Sequence, residues 1–110
     1  MNLTKKCIPC EGNEKPFSEK EARKYLKEVR MWKLEKNKVF KISREIKFRN
    51  FVSAMKFVNK VAGLAEREHH HPDMMIYSWN RLKITIYTHA IKGLSENDFI
   101  LAAKINKIKI

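Results

Sequence analysis

A chain of 110 residues, 44% hydrophobic and 10% aromatic, suits one compact domain with its own core and is too apolar to stay disordered. Its net charge of +12 favours anionic partners. The basic residues, however, come singly among Glu and apolar residues, as in Glu19-Lys20-Glu21-Ala22-Arg23-Lys24, which reads as a solvated lysine-rich surface rather than a nucleic-acid footprint.

Residues 1–16 carry Pro9, Gly12 and Pro16 without periodicity and read as an N-terminal arm, followed by a single domain over 17–110. Cys7 and Cys10 form one Cys-Ile-Pro-Cys pair in that arm. With no second pair to complete a zinc set, they read as reduced thiols in a loop. Met1–Lys6 lacks the apolar core of a signal peptide, and no run approaches the roughly 18 apolar residues of a membrane helix. The expectation is a soluble protein of the cytoplasm or nucleus, with no membrane partner.

Ser18 with Glu21 three positions on forms a capping box, and Ala22, Tyr25, Leu26 and Val29 supply a helical stripe ending near Arg30. Trp32 and Leu34 alternate with Lys33 and Glu35, predicting a short strand before the polar turn Glu35–Lys38. Phe40, Ile42, Ile46 and Phe48 then alternate with polar residues as a strand with one wet face. Arg44 interrupts its apolar side and marks either a bulge or a polar site. From the cap Asn50 the period changes, and Phe51, Met55, Val58, Ala62 and Ala65 predict a helix to about Arg67. After Pro72 come strands over Met74–Trp79 and Leu82–Thr88, joined at Asn80-Arg81. Ser95 and Asp98 form a second capping box, opening a last helix to about Lys107.

The order helix, two strands, helix, two strands, helix predicts an α+β fold: a four-stranded antiparallel sheet with three helices packed on one face. The last helix shows two apolar sides, Phe99 with Ala103 and Leu101 with Ile105 and Ile108. The second side predicts self-association through this C-terminal helix.

All four histidines fall in two places: His69, His70 and His71 at the end of the central helix, and His89 just past the last strand. Imidazole gives and takes protons near neutral pH, and element ends are where polar groups from different elements converge on a cleft. Adjacent histidines on a bending chain point in different directions, and no acid or Cys completes a tetrahedral set, so acid/base chemistry without a metal is the reading.

Glu66, three residues, His70-His71-Pro72, six residues, Trp79, nine residues, His89, eight residues, Asp98: in this pattern the chain resembles the pterin-4a-carbinolamine dehydratases. Their signature has an acidic or similar residue, His-His-Pro, an aromatic, His and Asp at these spacings. The likeness covers about residues 17–108, including Thr88-His89 and Gly93–Asp98. Within it, His69 stands where some members carry an acid, and the spacing to the aromatic is the longer variant.

The resemblance implies a cofactor-free hydro-lyase of tetrahydrobiopterin recycling, with His70, His71 and His89 catalytic. Pro72 would hold the His pair, Glu66 and Asp98 would orient or charge-tune the histidines, and Trp79 would line or support the pocket. Thr88 and the backbone of Ala90 and Ile91 would contact the pterin. It also implies a homo-oligomer, dimer or tetramer. The alternative role is a protein-binding module, a dimerisation cofactor of a transcription factor.

Overall fold

The computed structural model of this protein describes residues 2–8, 12 and 14–110. Helix α1 (Glu19–Leu26) starts where the Ser18 hydroxyl accepts the Glu21 amide while the Glu21 carboxylate accepts the Ser18 amide. It stops at Leu26, short of Arg30, because the chain tightens there into turns, with Glu28 N–H donating to Tyr25 and Val29 N–H to Leu26. Strands β1 (Lys33–Lys36) and β2 (Phe40–Lys47) follow, then α2 (Phe51–Glu68), β3 (Asp73–Tyr77), β4 (Arg81–Ile86) and α3 (Glu96–Asn106). The chain is an α+β fold with element order helix, two strands, helix, two strands, helix.

The four strands form one antiparallel sheet in the order β1-β2-β4-β3. Ile42 pairs with Ile86 and Ile46 with Leu82, so the period-two apolar residues of the two central strands meet on the face the helices cover, and all four are buried. Arg44 lies between them and pairs with Ile84 in an unbroken ladder, so there is no bulge. Its guanidinium is buried, which lowers its pKa, and it donates to Asn106 Oδ1 at 2.9 Å. That oxygen also accepts Trp32 Nε1–H at 2.9 Å, while Asn106 Nδ2 donates to the Arg30 carbonyl. One amide at the end of α3 therefore fastens β2 and the α1–β1 connection.

Three expectations are corrected. The buried stripe of α2 is Ala54, Phe57, Val61, Leu64, Ala65 and Glu68, whereas Phe51 and Ala62 face outward. The helix has apolar residues on more than one side, and the sheet selects which side is covered. The β3–β4 turn is made by Ser78 and Trp79, both at positive φ, and Asn80 is instead buried, with its side chain donating to the Phe48 carbonyl.

The third correction concerns α3. Leu101 and Ile105 are fully buried within one chain, and Ile108 is partly buried against the same core. The helix has neighbours on several sides: Tyr25 and Phe17 stack about Phe99, the N-terminal arm reaches Asn97, and α2 reaches Lys104. Leu101 and Ile105 are thus consumed inside the subunit and are not free to pack against a second copy.

Two substitutions check this. Asn106→Ala leaves the Arg44 and Trp32 donors unpaired and is expected to cost about 2–4 kcal/mol in urea unfolding. Ile105→Asp puts an unpaired carboxylate in the core and is expected to abolish the folded circular-dichroism signal; a native-like but dissociated Ile105→Asp protein would restore the assembly reading.

Candidate active site

The site begins with how α2 ends. His69 takes up a left-handed conformation (φ 54°, ψ 37°), its N–H donating to Glu66, while His70 N–H donates back to Ala65. This pair of bonds is a Schellman turn, and its left-handed position is usually glycine. The turn swings the chain so that successive histidines leave in different directions. His70 goes inward, with a side chain 12% exposed and Nε2 2.6 Å from Asp98 Oδ1. His71 goes outward, its Nε2 2.5 Å from Glu66 Oε2, one turn back on the exposed side of α2.

The second wall comes from the exit of β4. Thr88 is extended (φ −94°, ψ 106°) and buried. Its hydroxyl donates to Asp98 Oδ2 at 2.9 Å and lies 2.8 Å from Ser95 Oγ. His89 opens a short 3-10 turn, His89–Ile91, closed by pairing between Thr88 and Gly93. A Cβ on Gly93 would sit 2.5 Å from Pro16 Cβ, so only glycine fits there. The His89 ring is exposed and stacks on Tyr87, with centroids 4.1 Å apart and planes 21° apart.

His69, His70, His71, Tyr87, Thr88, His89 and Ala90 together line a cleft of about 240 Å³. Asp98, fully buried beneath it, receives the Ser95 amide and the Thr88 hydroxyl on Oδ2. It is placed to accept Nε2–H of His70 on Oδ1, which fixes the tautomer and leaves Nδ1 for proton exchange. Among the described residues, no three His, Cys, Asp or Glu side chains are grouped to hold a metal ion, and no helix is long and apolar enough to cross a membrane.

The family model for pterin 4 alpha carbinolamine dehydratase matches residues 15–108. The chain belongs to this family of hydro-lyases. It is 50% identical over 102 residues to a putative pterin-4-alpha-carbinolamine dehydratase of Rickettsia canadensis, covering 92% of this chain and 91% of that protein. It is 45% identical over 104 residues to one from Alkaliphilus metalliredigens (94% and 91% covered). It is also 44% identical over 109 residues to the mitochondrial pterin-4-alpha-carbinolamine dehydratase 2 of Arabidopsis thaliana, covering 97% of this chain but 58% of the plant protein. A similar solved structure is the crystal structure of a transcriptional coactivator/pterin dehydratase from Brucella melitensis, with a TM-score of 0.74 and 31% identity over 83% of this chain and 95% of that one.

Against the dehydratase signature, the structure gathers Glu66, His70, His71, Thr88, His89, Ala90 and Asp98 at one end of the sheet. Pro72 follows directly, between His71 and β3. Two positions fall elsewhere. Trp79 sits in the β3–β4 turn at the opposite end of the hairpin, 62% exposed, and does not line this cleft within the chain. Ile91 buries its side chain, and its N–H already donates to Thr88 within the turn, so it is not presented to the cleft.

Sequence reasoning missed the arm's contribution. Leu3 and Cys7 belong to the core. The Glu68 carboxylate accepts Cys7 N–H at 2.9 Å and Lys104 Nζ at 2.8 Å, and Asn97 exchanges two hydrogen bonds with the Ile8 backbone. Burial pushes the Glu68 pKa up, but Lys104 and the Cys7 amide outweigh it and hold it below the ordinary carboxylate value. Cys7 is pushed up to about 12, by burial first and then by Glu68, so it remains a protonated thiol. Its expected companion Cys10 and neighbouring Pro9 lie outside the described residues.

Because His69 serves as the left-handed residue of the turn, His69→Gly is expected to gain up to about 1 kcal/mol in stability with the His70–Asp98 bond kept, whereas His69→Val loses about 1–2 kcal/mol. Thermal unfolding of the two variants checks the order.

Proposed function

We propose that this chain dehydrates a 4a-hydroxytetrahydropterin to quinonoid dihydropterin and water by histidine acid/base catalysis. The observation that carries this reading is His70 held by the buried Asp98 across a cleft from His89. Dehydration needs one group to protonate the departing 4a-hydroxyl and another to take a proton from the ring nitrogen. Two imidazoles on opposite walls can do both without a redox partner. His70 and His89 exchange the protons, and His71, tied to Glu66, orients the ring. Thr88 and the backbone at Ala90 supply polar contacts at the strand end.

In this reading the enzyme serves tetrahydrobiopterin recycling in the cytoplasm, after an aromatic amino acid hydroxylase has formed the carbinolamine. Assembly to a dimer or tetramer belongs to the reading, with Leu101 and Ile105 of α3 already spent in the subunit's own core. Exposed apolar side chains include Phe51 and Val52 at the start of α2 and Met75 and Trp79 around the β3 edge, beside the single residues Ile8, Met31 and Ile110. These patches, with the coactivator activity named for the Brucella structure, support a second role as a transcription-factor-binding module.

The decisive experiment is a dehydration assay on the purified chain. His70→Ala and His89→Ala are each expected to lose about 10²–10⁴-fold in rate, and His69→Ala to stay near normal. Binding of a dihydropterin should survive in His89→Ala. Chelators should leave turnover unchanged. A dead His69→Ala beside an active His70→Ala would overturn the residue roles, and chelator-sensitive turnover restored by zinc would overturn the metal-free chemistry.

A further inference from the structure

Each histidine assigned to the chemistry has a partner that fixes its ring, but the partners differ in kind. His70 has the Asp98 carboxyl group and His71 has Glu66. His89 is exposed, as His71 is, and its ring contact is the stack on Tyr87 at 4.1 Å. An imidazole on a surface turn with no such partner would sample several rotamers.

The stack follows from the backbone. Extended residues alternate sides, so with Thr88 extended and turned inward to Asp98, Tyr87 and His89 emerge together on the opposite side. Tyr87 is itself held from the neighbouring strand. Continuing the Ile42–Ile86 register by one residue brings Lys41 across from Tyr87, and Lys41 Nζ lies 4.6 Å from the Tyr87 ring centroid. Tyr87 is half-buried and lines the cleft, so its ring is a fixed plate at the mouth of the site.

We propose that Tyr87 is the positioning residue for His89: it holds the imidazole face-on at the cleft wall as the carboxyl groups hold the other two rings, with Lys41 fixing Tyr87 in turn. This rests on the reading of His89 as a proton-transfer group. Tyr87 acts through His89 and exchanges no proton itself, so its hydroxyl is dispensable and its ring is not.

The test combines kinetics with the proton spectrum of the His89 ring. In the native protein and in Tyr87→Phe, the His89 ring protons should be shifted upfield by the aromatic neighbour. In Tyr87→Leu they should move to the position of a free imidazole. Tyr87→Leu is expected to lose about tenfold to a hundredfold in kcat with KM and the thermal midpoint little changed, while Tyr87→Phe stays within about twofold of native. Tyr87→Gln serves as the second variant should the leucine protein fold poorly. Unchanged kcat in both non-aromatic variants beside a dead His89→Ala would overturn the proposal and leave the catalytic reading intact. Full activity in His89→Ala would overturn both, and an unshifted His89 spectrum in the native protein would remove the stack itself.

Discussion

The arrangement depends on one buried carboxyl group. Asp98 has no exposure to solvent, and such a group is tolerated only when its oxygens find donors. They find three: His70 from the exit of α2, Thr88 from the exit of β4, and the Ser95 amide at the start of α3. The first turn of α3 favours it further, since unpaired amides at a helix N-terminus attract negative charge. The ends of α2 and β4 and the start of α3 must therefore be in place together before Asp98 can be buried. The same bonds that satisfy it bring a histidine to the cleft and pin the strand from which the other wall grows.

A second buried acid does similar work behind the site. Glu68 closes α2 one residue before the histidine run and holds both Lys104 of α3 and the backbone of the N-terminal arm. The left-handed turn at His69 thus has a fixed base. Its unusual residue at a glycine position is tolerable because the helix end before it and the His70–Asp98 bond after it leave the chain little choice. Strain there is offset by the surrounding contacts.

The element order was legible from the sequence because each element rests on a local signal, whereas the site residues beyond the histidines came from the likeness to the dehydratase signature. Period-two alternation marked the strands, capping boxes marked the starts of α1 and α3, and the His-His-Pro run sits beside a helix end. What was not legible required knowing which surface covers which. α2 carries apolar residues on more than one side, so its stripe could be drawn through Phe51 or through Phe57, and only the sheet decides. α3 looked like a helix with a spare face because its neighbours Tyr25, Ile8 and Glu68 come from distant segments. The arm's docking has no periodic signature; it runs through single amides to Asn97 and Glu68. Trp79 satisfied a spacing along the chain, but the hairpin carries it to the other end of the sheet.

Backbone alternation also explains why the cleft can hold histidines of unlike character. At the exit of β4 the chain faces two ways at once, with Thr88 turned inward to the buried carboxyl group and Tyr87 and His89 turned outward to the cleft. At the exit of α2, the left-handed turn does the same for His70 and His71. Of the three imidazoles, His70 is shielded from water while His71 and His89 are wet. Acid/base work divides naturally along that line: a shielded ring with a fixed tautomer holds its proton geometry, while an exposed ring can exchange its proton with solvent between turnovers. His70 meets the first condition and His89 the second, so under the proposed reading a single cleft built from two chain reversals would supply both halves of a proton shuttle.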